Sequence, residues 1–167
     1  RHRREPLVDP GVAVGGDGLR VGEDRHLRRG EVDERGGQPV GERGDRVIFR
    51  QKSYGLWQTL TWRQLAEIVR ETGMGLIELG FEPGETISIL GNTRQEWLFC
   101  DLAALCAGGV SSGIYPTDAP AQVEYLTQDS RSVYLFVEDE EQLDKALAGL
   151  ERLPLLRRIV VWDMTGL

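Results

Sequence analysis

The first 47 residues contain no Phe, Trp, Tyr, Ser, Thr, Lys, Asn, Ile, Met or Cys, whereas residues 48–167 contain all of these. Ten of the 21 glycines fall in the first 46 residues. A stretch this poor in large apolar side chains buries too little surface to offset the entropy of ordering its backbone, which excludes it from a core. Every residue through Val47 is of a type that a codon beginning with G or C can encode, and Ile48 is the first that is not. A GC-rich gene yields that bias when its wobble position is read as a first position. Residues 1–46 are therefore expected to be a non-native leader from a shifted reading frame, which fits a chain opening at Arg1 rather than at Met. A natural disordered leader rich in Gly, Arg and acidic residues is the competing reading. Residues 47–167 hold the globular part.

Cysteine is scarce as well. Cys100 and Cys106 are the only two, and on one helix they face different directions, which excludes a disulfide and a CxxC metal clip. Two free buried thiols suit a reducing compartment. Long hydrophobic runs are missing too. The longest mostly apolar stretch, Trp97 to Val110, is interrupted by Asp101 and falls short of the roughly 20 residues that span a bilayer. With no signal-peptide pattern either, the expectation is a soluble, cytoplasmic chain without a transmembrane segment. Charge of one sign is short only after the leader: residues 1–46 carry 10 basic and 10 acidic residues, residues 47–167 carry 10 and 17. The net charge of −7 thus belongs to the second part and argues against a nucleic-acid or anionic-membrane surface there.

What is present reads as alternating elements. Val47–Gln51 and Trp57–Leu60 flank Ser53-Tyr54-Gly55 and predict a β-hairpin. Thr61 and Gln64 have capping-box spacing, and Leu65, Ile68, Val69, Thr72, Leu76 and Leu79 form one apolar helical stripe. Gly80, Pro83 and Gly84 then turn the chain into the strand Thr86–Leu90. Thr93 and Glu96 repeat the capping-box spacing before a helix that is apolar on most sides, which should be buried against a sheet and a neighbour. Strands at Val110–Ile114, Val133–Val137 and Arg158–Trp162 alternate with helices at Ala119–Gln128 and Glu140–Ala148. Unbroken apolar strands separated by helices predict an α/β fold: an N-terminal β-hairpin, then βα units of a doubly wound parallel sheet.

Candidate chemistry is thin. Gly16, Gly18 and Gly22 imitate a dinucleotide loop, but residues 23–37 have no apolar stripe to hold the helix such a loop needs. The run Glu138-Asp139-Glu140-Glu141 reads as a helix start, favoured by the macrodipole and by Lys145 four residues after Glu141, rather than as a divalent-cation site. His2 and His26 lie in the leader, so no histidine remains for general-base or metal work. Residues 105–117, LCAGGVSSGIYPT, place Gly108-Gly109 after a helix, where a left-handed C-cap ends the helix and drops the chain into a buried strand, rather than before one, where a phosphate cradle would sit. Ser111, Ser112 and Gly113 are small as if another backbone or helix approached closely. In open α/β sheets ligands gather beyond the C-terminal ends of strands, which singles out Asn92, Tyr115 and Thr117 as cleft-facing positions. Turn and strand-exit roles for the same residues are the simpler reading.

In wording and order, residues 47 to about 163 resemble the opening of the AMP-dependent synthetase and ligase (adenylate-forming) superfamily, most closely its long-chain fatty acyl-CoA ligases. LTWRQL at 60–65 is similar to the family's first core motif, with Trp62 for Tyr and Gln64 for Glu. GFEPGETISILGNTRQEW at 80–97 is similar to its strand entry and Asn-Arg-x-Glu-Trp helix start, and LCAGGVSSGIYPT with QVEYLTQDS at 122–130 is similar to the long-chain branch. The resemblance implies that 47–167 is a partial N-terminal AMP-binding domain. It also implies a parent enzyme that uses ATP, Mg²⁺ and CoA to activate a long-chain fatty acid as acyl-adenylate and pass it to CoA. Peripheral membrane contact of the parent is compatible with this; nucleic acid is not an expected partner. The family's phosphate loop, adenine motif, ribose-binding Asp, hinge and catalytic Lys do not occur by residue 167. The chain itself is therefore expected to hold no catalytic, cofactor or metal residue and to be inactive alone. The alternative is a stand-alone α/β ligand-binding or interaction module.

Overall fold

The computed structural model describes residues 43–165. Most of the leader expected at 1–46, the glycine pattern at 16–22 and both histidines lie outside the described residues. Two strands open the fold, β1 (Val47–Ser53) and β2 (Leu56–Thr61), paired antiparallel as a hairpin. Ser53 faces Leu56, so the loop is the two residues Tyr54 and Gly55, whose φ values of 49° and 83° are what a type I′ turn requires. Helix α1 (Trp62–Glu78) follows at once. Its capping box forms as the spacing predicts: the Gln64 amide donates to Thr61 Oγ1 and the Thr61 amide to Gln64 Oε1. Leu65, Val69 and Leu76 of the stripe are buried.

The remaining strands make one four-stranded sheet in the order β4-β3-β5-β6, every pair parallel: β3 (Thr86–Leu90), β4 (Val110–Ile114), β5 (Tyr134–Val137) and β6 (Arg158–Val161). Helices α2 (Gln95–Cys106), α3 (Pro120–Asp129) and α4 (Glu140–Leu147) connect them, with a short 3₁₀ turn at Leu150–Arg152 before β6. Successive side chains of β3 point to opposite faces, and each face has its own core. Ile87 and Ile89 pack with Leu76, Phe81, Cys100, Ala103, Ala104 and Phe136 beneath α1 and α2. Leu90 packs with Ile114, Val123, Leu135, Val137 and Ala146 beneath α3 and α4. The doubly wound α/β expectation holds. On the α3 side the hydroxyl of the fully buried Ser88 is matched by Ser132 at 2.7 Å and Ser130 at 3.3 Å, which satisfies a polar group in mid-strand.

Three helices end alike. After α1, α2 and α3 the chain places Gly80, Gly108 and Arg131 at positive φ, and the amides of that residue and of the one after it return to the last turn: Gly108 N to Leu105 O at 3.0 Å and Gly109 N to Ala104 O at 2.9 Å after α2. This is a Schellman motif, so the joint at 105–117 is a packing corner. A side chain at Gly109 would run into the Phe81 ring.

Three expectations need correction. Thr93 and Glu96 do not form a capping box: the cap of α2 is Arg94, which makes no side-chain cap bond, and the Gln95 amide donates instead to Gln51 Oε1 of the hairpin at 3.2 Å. Arg94 and Asn92 are held by a carboxylate across the sheet, and this sets the start of the helix one residue later than the motif would. Nor are both thiols buried. Cys100 sits in the core and Cys106 is exposed on the last turn of α2, the divergence in direction expected of one helix. β4, expected to be buried, is the edge of the described sheet and half exposed, although a helix does approach it closely, through the Trp97 ring of α2 against Gly113.

Candidate functional site

All four parallel strands end on one edge of the sheet, where Leu90 lies level with Ile114 and Val137, and Val137 with Val161. The residues just past these ends form a charged cluster. Glu138, immediately after β5, is only 5% exposed. Its Oε2 accepts the Asn92 backbone N–H at 2.6 Å and the Asn92 side-chain amide at 2.9 Å, and its Oε1 accepts from Arg94 Nη1 at 3.2 Å. Arg94 also lies 3.6 Å from Asp163, beyond β6, and 3.4 Å from Glu96. One guanidinium thus serves three carboxylates. Burial alone would lower the Arg94 pKa, but the bond to Glu138 and the charges of Glu96, Glu138 and Asp163 outweigh it and hold the group above its ordinary value. Asp163 is held below the usual carboxylate range, first by bonds from the Thr165 hydroxyl and amide and then by Arg94.

The approach of these loops depends on a missing side chain. A Cβ on Gly91 would lie 2.8 Å from the Trp162 ring and 2.9 Å from the Glu138 Cβ, so only glycine lets β3 exit beneath both. Trp162 closes the apolar side, with its Nε1 buried and without a partner among the described residues.

The three positions singled out from sequence lie on this edge. Asn92 leaves β3 and is committed to Glu138; Tyr115 and Thr117 leave the adjacent β4 and are exposed. Between them the Pro116 carbonyl accepts from Lys145 Nζ at 2.5 Å, and Lys145 also pairs with Glu141 at 3.0 Å. Glu138, Arg94 and Asp163 were not anticipated. Glu138 stood at the head of an acidic run read as a helix start, yet Asp139 is the cap of α4, accepting from the Gln142 amide at 3.0 Å. The Asp-x-x-Gln spacing could have separated the capping Asp139 from the carboxylate before it.

Arg94 meets its three carboxylates through Nε and Nη1. Among the described residues no group of three His, Cys, Asp or Glu side chains could hold a metal ion, and none of the helices is long and apolar enough to cross a membrane. Among the described residues the cluster at the strand exits does not fit ATP or Mg²⁺, because the Glu138 carboxylate is bonded to Asn92 and Arg94.

A parallel sheet covered on both faces, entered through a hairpin and closed at its C-terminal edge by a charged cluster, defines a doubly wound α/β scaffold. The AMP-binding enzyme family matches residues 38–167, and the chain belongs to that family. It is 32% identical over 123 residues to the long-chain-fatty-acid–CoA ligase ACSBG2 of Xenopus laevis, covering 74% of this chain and 17% of that protein. It is 33% identical over 116 residues to the long-chain-fatty-acid–CoA ligase FadD15 of Mycobacterium tuberculosis, covering 70% and 19%. The crystal structure of the anthranilate CoA ligase AuaEII in complex with anthranoyl-AMP superposes with a TM-score of 0.65 at 26% identity, over 78% of this chain and 23% of that one. The acetoacetyl-CoA synthetase of Streptomyces lividans shares the fold with a TM-score of 0.70 at 22% identity, over 78% and 22%. The chain therefore spans less than a fifth of the length of these two curated relatives.

Proposed function

We propose that this chain is the opening scaffold of a long-chain fatty acid–CoA ligase. The whole enzyme would activate a fatty acid with ATP and Mg²⁺ as acyl-adenylate and transfer the acyl group to CoA; the chain by itself catalyses neither step. The observation that carries the reading is the family match over residues 38–167 joined to the identity with long-chain ligases. The charged cluster agrees with a scaffold role, because Glu138 spends its lone pairs tying the β3 and β5 exits together and Arg94 is consumed in the same tie. In this reading Asn92, Tyr115 and Thr117 edge the substrate side of the sheet, and the reacting groups come from polypeptide beyond them.

Two measurements test it. Purified chain given ATP, Mg²⁺, CoA and palmitate should release no pyrophosphate above a heat-killed control, and a signal that depends on fatty acid would overturn the claim of inactivity. The DNA after the Leu167 codon should continue, in frame or past one lesion, into a Thr/Ser/Gly-rich loop ending in Lys-Gly. A stop there with no ligase motif beyond it would instead support a stand-alone α/β module.

A further inference from the structure

The hairpin differs from the rest of the globular part in charge and exposure. Residues 47–61 contain Arg50 and Lys52 and no acidic residue, within a region that is otherwise acidic. At its tip Tyr54, Leu56 and Trp57 are 104%, 68% and 67% exposed. Alternation along the strands sorts the rest. Gln51 faces the start of α2, where it accepts the Gln95 amide, so Arg50 and Lys52 with their partners Thr59 and Trp57 share the opposite, outward face, and all four are exposed. Lys52 lies directly across from Trp57, and Arg50 stands two residues back, roughly 7 Å along the strand. Two aromatics and a leucine at a tight tip, with cations behind them at headgroup distance, are the arrangement that partitions into a membrane interface.

We infer that the hairpin tip is a peripheral docking site for an anionic lipid surface. Tyr54, Leu56 and Trp57 enter the interfacial layer while Lys52 and Arg50 pair with lipid phosphates. The net charge of −7 opposes broad membrane contact, but at physiological salt its field fades within about 8 Å, and the outward face of the hairpin presents only positive charge. Insertion stops at the tip, because among the described residues the two strands pair only with each other, and their outer backbone N–H and C=O groups cannot enter hydrocarbon. One short anchor gives weak, reversible binding. The inference does not depend on the ligase reading, and lipid binding can fail or succeed without touching the activity test.

The test uses the full chain and sedimentation with vesicles of phosphatidylcholine alone or mixed with phosphatidylglycerol. Wild type should bind the mixed vesicles and release them in high salt. Replacing the cations (R50Q with K52Q) should weaken binding by about five-fold per cation, and replacing the anchors (Y54N with W57S) by at least about ten-fold. Asn-Gly is itself a favoured I′ turn, so Tyr54→Asn keeps the hairpin. Every variant retains residues 1–46, so any contribution of the leader cancels. As a readout independent of those variants, Trp emission should shift to the blue on vesicle binding in wild type and much less in W57F. Equal binding by wild type and both pairs, no binding at all, or self-association lost in Y54N/W57S without vesicle binding would overturn the inference.

Discussion

Glu138 Oε2 accepts two hydrogen bonds from one residue, the backbone N–H and the side-chain amide of Asn92, at 2.6 Å and 2.9 Å. The pair joins the exit of β3 to the exit of β5 over 46 residues of sequence, and Arg94 Nη1 adds a third donor to the same carboxylate. Removing it leaves three donors facing an empty pocket. Glu138→Ala should lower stability by about 2–4 kcal/mol and Asn92→Ala by about 1 kcal/mol, measured by urea unfolding. Glu138 and Arg94 substitutions should couple in a double-mutant cycle. A loss below about 0.5 kcal/mol for Glu138→Ala would show that the clamp is not structural.

Gly91 lies under Trp162, and the two should be coupled by sterics alone. Gly91→Ala places a methyl group against the ring and against the Glu138 Cβ, and should cost about 1–3 kcal/mol. Combining it with Trp162→Leu should recover part of that loss. If the double variant is no more stable than the sum of the singles predicts, the contact is not the cause.

Arg131 sits at φ 56° in the Schellman position after α3, where α1 and α2 carry glycine. The left-handed conformation costs a side-chain-bearing residue about 1 kcal/mol or more, partly offset in glycine by its greater freedom when unfolded. Arg131→Gly should therefore raise stability by about 0.5–1 kcal/mol, visible as a higher urea midpoint with an unchanged slope.

The thiols should separate by reactivity and by pH. Burial pushes the Cys100 thiol up to about 12, with Glu96 adding to the shift. A folded-state value above the unfolded one stabilises the protein below the unfolded pKa, and this contribution is lost as pH rises toward the folded value. Stability should fall by up to about 1.4 kcal/mol per pH unit above about pH 9, and this slope should be reduced in Cys100→Ala. At pH 8 a disulfide-exchange reagent should modify Cys106 in the native chain and reach Cys100 only on unfolding. Rapid reaction of both thiols would contradict the burial of Cys100.

The element order, the parallel architecture and most boundaries were legible because their causes are local. The Thr61 and Gln64 box spans three residues, the apolar stripe of α1 repeats every turn, and the glycine at 108 serves a carbonyl in the helix just before it. The same reasoning misplaced the start of α2, where Thr93 and Glu96 have the right spacing but a non-local bond to Glu138 engages Arg94 and Asn92. It also assigned β4 to the interior, since burial of a strand depends on its rank in the sheet and the order β4-β3-β5-β6 leaves no mark within VSSGI.

The sequence by itself determined which segments become helix or strand, where glycine ends the first two helices and which superfamily the motifs belong to, because those properties follow from side chains within a turn or two of one another. Only the tertiary structure decided that Asn92, Arg94, Glu138 and Asp163 meet, that Trp162 covers Gly91, and that Arg50, Lys52 and Trp57 face outward together. Those contacts join residues brought together by strand pairing, in the case of the charged cluster as far apart as 69 positions in Arg94 and Asp163. Pairing register creates such contacts at single positions, and a single position carries no periodic signal in the chain.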